Sequence, residues 1–284
     1  MKAKTIKRVL NRVHKNFVDS IKDDEVKDLV RKNSIITGGS IVSMLLNEPV
    51  NDYDYYFTDK ETTRKVAEYY VNEFKKYNKL DMEVKEEKDR IKIYVASAGV
   101  AGETDEMEED IPEELKEDIE VSEKEEHDPV FLTTNAITLK GKIQIVIRFY
   151  GEPDEIHDNY DFVHATCYWR SENGHLSLPR KALEAILTKE LKYAGSKYPL
   201  ASIFRTKKFI ERGWTVNAGQ YLKMALQLNE MDLHDPKVLE EQLTGVDFAY
   251  FQMIIRDIKE RQEKDENFKV DNNYLMEVIN RVFD

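Results

Sequence analysis

Cysteine is nearly absent from this 284-residue chain: Cys167 stands alone, which excludes an internal disulfide framework and any cysteine-based zinc site and fits a reducing compartment. No run approaches the roughly 18 consecutive apolar residues of a membrane-spanning helix. The opening Met1-Lys2-Ala3-Lys4-Thr5 lacks the apolar stretch of a signal peptide. The six histidines (His14, His127, His157, His164, His175 and His234) include no pair at the i, i+4 spacing of a helical metal site. The expectation is a cytoplasmic protein with no membrane partner and no zinc, long enough for one large or two ordinary domains with a full core.

Positive charge is also scarce on average, since the net charge is −12. That deficit is local. Between Ala101 and Asp128 stand 15 acidic residues against two lysines, a net of −13, so the other 256 residues sum to +1. Few apolar residues and long like-charge runs mark this stretch as a solvated insertion, with an acidic flap over a basic site as the alternative. Residues 1 to 32 are its opposite, with ten Lys or Arg against five Asp or Glu. Ile6, Val9, Leu10, Val13, Phe17, Val18 and Ile21 recur at helical spacing, so Lys7, Arg8, Arg12 and Lys15 cover much of the remaining surface, as a solvated face or as a seat for polynucleotide.

What the chain does have is Ile35-Ile36-Thr37-Gly38-Gly39-Ser40 followed by Asn51-Asp52-Tyr53-Asp54-Tyr55-Tyr56-Phe57. The first reads as a strand turning into a helix. Gly38 and Gly39 let backbone approach a phosphate, Ser40 offers a hydroxyl and an amide, and the helix from Ile41 presents its N-terminal amides to an anion. The second reads as a strand on which residues i and i+2 share a face, so Asp52 and Asp54 aim at one place. Two such carboxylates suit Mg²⁺, which binds through one or two carboxylates plus substrate phosphates, and a two-ion site could clamp an in-line displacement. Either half alone reads first as a capped turn or a solvated strand end. Together they point to phosphoryl chemistry on a nucleoside triphosphate.

These residues resemble the signature of the polymerase-β-type nucleotidyltransferase superfamily. The spacer between them is similar to that of its tRNA nucleotidyltransferase and poly(A) polymerase branch, and the whole chain resembles phage-encoded nucleotidyltransferase-like proteins. Asp161-Phe162-Val163-His164-Ala165-Thr166-Cys167-Tyr168 is similar to the Asp-Phe-containing strand of that branch. The segment Pro199 to Val216, with Arg205 and Lys208, resembles its Arg-rich neck helix. The resemblance implies an Mg²⁺-dependent enzyme moving a nucleoside monophosphate from an NTP to an acceptor hydroxyl, with RNA such as a tRNA 3′ end as partner. Asp161 would be either a third metal carboxylate or a residue orienting the sugar. An Arg-Arg pair expected before the Asp-Phe segment is here Asn159-Tyr160, and no Glu-Asp-x-x-Arg motif lies between Ser177 and Arg205, so CCA addition is not implied. Nucleotidylation of a protein or small molecule, and a nucleotide-binding protein without activity, stay open.

Arg148, Arg205 and Lys208 are the candidate triphosphate contacts, because phosphate oxygens suit guanidinium forks and ammonium groups. His164, Trp169 and Trp214 read first as packed residues, with nucleotide contact as the alternative.

The patterning predicts an α+β fold: a basic N-terminal helix over 1–33, a mixed-sheet nucleotidyltransferase core over 34–178, and an all-helical C-terminal domain over 179–284. Strands are expected at Arg90–Val95, Phe131–Thr133, Ala136–Leu139, Lys142–Phe149 and Phe162–Trp169, with a turn at Gly141. Helices are expected over 60–77, 152–157, 180–193, 199–211, 218–228, 236–242, 247–264 and 273–282.

Overall fold

The structure is a computed structural model and describes residues 1–76, 82–87, 90–95, 127–133, 135–242, 258, 260, 261, 264, 268 and 270–283. The acidic stretch up to residue 126 and most of the helix expected over 247–264 lie outside the described residues.

The basic N-terminal segment forms two helices instead of one, α1 (Ala3–Ser20) and α2 (Asp24–Asn33). The break has a local cause: Asp23 accepts the Val26 amide at 2.9 Å, the side-chain cap that starts a new helix. Ile6, Leu10, Phe17 and Val18 of α1 are buried in the main core, so this segment belongs to the core.

Strand β1 (Ser34–Thr37) leads through Gly38 into α3 (Gly39–Leu46), and β2 (Tyr53–Phe57) leads into α4 (Lys60–Lys75). Asp59 caps α4 by accepting the Thr62 amide at 2.7 Å. A separate hairpin, β3 (Met82–Glu87) and β4 (Arg90–Val95), includes the alternating strand expected there. Next come β5 (Pro129–Leu132), β6 (Ala136–Leu139) and β7 (Ile143–Val146), with Gly141 and Lys142 at φ of 80° and 66° closing the turn between the last two.

After α5 (Pro153–His157) the strand expected over Phe162–Trp169 is shorter. Residues Val163–Thr166 form a 3₁₀ turn and only β8 (Tyr168–Arg170) joins the sheet, before a short β9 (Leu176–Ser177). The turn has a tertiary reason, because it offers the Ala165 carbonyl to the Gly38 amide at 3.2 Å.

The seven strands are ordered β5-β6-β7-β2-β1-β8-β9. The β2–β7 pair is parallel and the other pairings are antiparallel, which makes the sheet mixed, as expected. Alternation gives it two faces. Ile36, Tyr55, Phe57, Ile145 and Trp169 join α1 in the main core, whereas Ile35, Tyr56 and Val146 point the other way, toward Ile156 of α5.

The rest is mainly helical: α6 (Arg180–Thr188), α7 (Pro199–Glu211), α8 (Ala218–Leu228), α9 (Pro236–Gln242) and α10 (Asn272–Phe283). The first of these stops short of the expected Tyr193 because Lys189 turns left-handed at φ 48°, after which the Leu191 amide donates to the Thr215 carbonyl at 2.8 Å. Ala182, Ile186, Trp214 and Met224 pack into the main core, while Leu239, Tyr274 and Val278 build a smaller one with Leu200 and Phe204. No helix among the described residues is long and apolar enough to cross a membrane.

Candidate functional site

The strand-to-helix turn shows why glycine stands at 38. Its backbone sits at φ 85°, ψ −144°, and a Cβ there would lie 3.0 Å from Asp54 Oδ2 and 3.7 Å from the Tyr160 hydroxyl. Gly39 opens α3 with nothing within 4 Å of its Cβ position, so its backbone faces open space. Gly38→Ala is expected to cost about 1–2 kcal/mol through the strained φ and to displace the Asp54 carboxylate. Thermal melting reads the first effect; on the function proposed below, nucleotide binding reads the second as a loss of at least about tenfold.

Asp54 is half-buried and pairs in register with Thr37 of β1 and Gln144 of β7, so its side chain lies on the sheet face opposite Tyr55 and α1. That face forms the floor of a cavity of about 300 Å³, lined by Gly38, Gly39, Asp54, Gln144, Arg148 and Arg205 among others. Asp52 falls one residue before β2 and is exposed, so it stands outside the lining and not on the strand itself. The carboxylates of Asp52 and Asp54 are of the kind that holds Mg²⁺. The missing Cβ at Gly38 leaves the space beside Asp54 Oδ2 open for such a ligand.

Asp161 lines the same cavity as Asp54 and is paired with an arginine. Its Oδ2 accepts from Arg205 Nη1 at 2.9 Å, and no group of three His, Cys, Asp or Glu side chains among the described residues is arranged to hold a metal ion. The physical reason is charge: the guanidinium that α7 brings to the cavity wall neutralises this carboxylate.

The remaining sequence candidates divide. Arg148 lines the cavity, lies over the rings of Phe149 and Tyr198 at 5.4 and 4.7 Å, and donates through Nη2 to the Tyr198 hydroxyl. Its Nε is buried without a hydrogen-bond partner among the described residues. Ser40 is buried, its hydroxyl has no partner there either, and it is not part of the lining. Lys208 lies one helical turn from Arg205, as its spacing predicts, but Phe209 takes its place in the wall.

His164 packs between Phe209 and Trp214 at 4.8 and 4.5 Å, and Trp169 and Trp214 are buried, so all three are core residues. Burial also pushes the Cys167 thiol up to about 12, so the lone cysteine is no nucleophile at neutral pH.

Several lining residues escaped the sequence reading, notably Tyr56, Asn135, Gln144, Asn159, Tyr160 and Tyr198. Gln144 was readable in principle, as the polar residue alternating within Ile143-Gln144-Ile145. Tyr160 lies within hydrogen-bonding reach of Tyr56 and Thr37, and burial first, with the Asp54 charge second, pushes its hydroxyl well above the usual tyrosine range. It therefore stays protonated beside the carboxylate. Below it, Thr37 Oγ1 meets His157 Nε2 at 2.8 Å and donates to the Cys167 carbonyl at 3.0 Å, tying β1 to α5 and β8.

A family profile described as "Gabija anti-defense 2 family protein" matches residues 8–189. The chain belongs to the Gabija anti-defense 2 family. A curated relative named "Gabija anti-defense 2", from Bacillus phage SPbetaL7, is 19% identical over 265 residues, covering 92% of this chain and 51% of that protein. This chain thus spans about half the length of the curated family member it matches.

Among solved structures, the family chain is similar to "Thermotoga maritima CCA-adding enzyme complexed with tRNA_CCA" at 13% identity and a TM-score of 0.41, covering 94% of this chain and 65% of that one. It is also similar to "Crystal structure of Bacillus stearothermophilus CCA-adding enzyme in complex with CTP" at 12% identity and a TM-score of 0.36, covering 90% and 52%. The matched family region ends inside the ladder of elements that builds the cavity, before α7 supplies Arg205.

Proposed function

We propose that this protein is a metal-dependent nucleotidyltransferase that moves a nucleoside monophosphate from an NTP to the hydroxyl of an RNA end. The observation that carries this reading is the close approach of the Gly38 backbone to Asp54 at the floor of the cavity, since a side chain at 38 would occupy the space beside the carboxylate. A magnesium ion held by Asp52 and Asp54 would supply charge neutralisation at the phosphates.

The chain's own residues would do the rest by positioning. The Gly38–Gly39 backbone lets phosphate oxygens come close, and the N-terminal amides of α3 favour negative charge there. Arg148, held by Tyr198, and Arg205, held by Asp161, bring two guanidinium forks to the lining. Asp161 acts in this reading as the group that orients Arg205. The rings of Tyr56, Phe149 and Tyr160 offer apolar surface to the base. The acceptor hydroxyl oxygen forms a bond to the α-phosphorus while the bond to pyrophosphate breaks, and the hydroxyl proton is released to solvent.

Family membership supports a second layer to this reading. The phage relative is named for anti-defense, and we infer that the transfer serves such a role in the host cytoplasm. Incubating the full chain with Mg²⁺ and NTPs labelled at the α-phosphate, with and without total RNA, tests the reaction. Label on RNA is expected. Label on protein or a small molecule would move the assignment to another acceptor, and no label on any product would overturn it.

A further inference from the structure

The helix α1 carries a feature that the nucleotide cavity does not use. Lys4, Lys7, Arg8, Arg12 and Lys15 are all exposed, and at 100° per residue they fall within an arc of roughly 140° on the side opposite Ile6, Leu10 and Phe17. The stripe runs for about 17 Å along the helix. Asp19 is the first acidic residue on α1.

What sets these five apart is that they form one continuous stripe of exposed cations with no acidic residue among them. Several surface cations elsewhere are paired, such as Arg64 with Glu68, Arg170 with Glu152, Arg180 with Glu184, and Lys189 with Glu48. None of the five on α1 has an ion-pair partner among the described residues. A row of five exposed cations raises the local potential along this face.

We propose that this face of α1 is a docking surface for the phosphate backbone of a single-stranded polynucleotide. The fold rules against a lipid surface, because the apolar side of α1 is committed to the core and leaves nothing to insert beside the charges. The position fits an acceptor strand. Although α1 covers the sheet face away from the cavity, Arg12 of the stripe is close enough to act electrostatically on the hydroxyl of Tyr53, the residue between Asp52 and Asp54. A strand lying along α1 reaches the cavity by turning round that end of β2. This assigns the acceptor side of the activity proposed above and rests on that reading only for what the bound strand is used for.

The test is equilibrium binding of a fluorescently labelled single-stranded RNA of about 20 nucleotides to the full chain, without NTP or Mg²⁺, so that its outcome is independent of nucleotide transfer. Five phosphate contacts on a single strand imply a slope of log K against log salt near −3.5, or a loss of roughly 100-fold between 50 and 200 mM. Replacing Lys4, Lys7, Arg8, Arg12 and Lys15 with Gln is expected to weaken binding at 50 mM salt by at least about tenfold and to remove most of that slope.

A second variant with Arg64, Lys65 and Arg180 changed to Gln is expected to bind as the unmodified chain does. Unchanged melting temperatures would show that both variants are folded. If the α1 variant bound RNA as tightly as the unmodified chain, the proposal would be overturned. It would also fall if RNA bound only after deletion of residues 101–126, which would assign the face to the chain's own acidic stretch.

Discussion

Asp54→Asn is expected to lower the rate of nucleotide transfer by on the order of 10³-fold while leaving the fold intact. The substitution keeps the shape and removes the charge. A carboxylate that positions a divalent ion is worth several kcal/mol of transition-state charge stabilisation, and each 1.36 kcal/mol is tenfold in rate. Structure gives the reason to expect no loss of fold. Asp54 is half-buried on the cavity floor, its strand is held by backbone pairing to β1 and β7, and the core side of β2 is carried by Tyr55 and Phe57.

Asp52 makes the comparison informative. It is exposed and precedes the strand, so Asp52→Asn is expected to have the smaller effect on rate and almost none on stability. Steady-state transfer kinetics, with a thermal melt of each variant, measure both. An Asp54→Asn protein that works at the full rate would remove the basis of the proposed function.

Acid is expected to destabilise this protein progressively below about pH 6.5, through buried histidines rather than carboxylates alone. His14 and His164 are buried, and burial lowers each to about 4 from the ordinary 6.5. Smaller influences oppose one another: the Arg31 carbonyl contact favours the charged form of His14 while the Arg31 charge disfavours it, and Asp161 favours charge on His164.

The sign follows from linkage. The unfolded chain binds a proton on each imidazole near pH 6.5, the folded chain does not until about pH 4, so stability is lost as pH falls through that window. Each imidazole contributes about 3 kcal/mol at the acid end, and two together are comparable with the roughly 5–15 kcal/mol that holds a domain folded. His157, also lowered to about 4 by burial but beside Asp154 and Asp158, acts in the same direction. Melting temperatures from pH 7.5 to 4.5 should fall steeply below 6.5. His164→Phe, which keeps an aromatic ring against Phe209 and Trp214, should flatten the curve. A melting temperature constant from pH 7 to 5 would refute this account.

The parts legible in the sequence were those set by neighbours along the chain. Gly38 and Asp54 lie on a strand–turn–helix and a strand whose patterns are local, and the resemblance built on them led to the α+β core that is found. One error has a local explanation and one a tertiary explanation. A single helix over 1–33 overlooked Asp23 as a cap, and a strand over 162–169 overlooked the pull of Gly38 on the Ala165 carbonyl.

The cavity was only half readable, because its walls are assembled across the chain. Arg148 meets Tyr198 across 50 positions and Arg205 meets Asp161 across 44, and neither pairing leaves a mark in local sequence. Sequence could nominate Asp161 as a carboxylate but had no means of showing that a guanidinium already holds it. Likewise it gave Asp52 and Asp54 equal standing, since i, i+2 spacing fixes a shared side and not where a strand begins or how deep each residue sits.

By itself, then, the sequence determined the chemistry that can occur here: glycines where backbone must come close to a charge, carboxylates suited to a hard cation, and a strip of cations on one helix. Tertiary structure decided which of these act together. Hydrogen bonding and charge pairing depend on distance in space, and only the packing of α5 on the mixed sheet and of α7 against Asp161, Phe162 and His164 sets those distances.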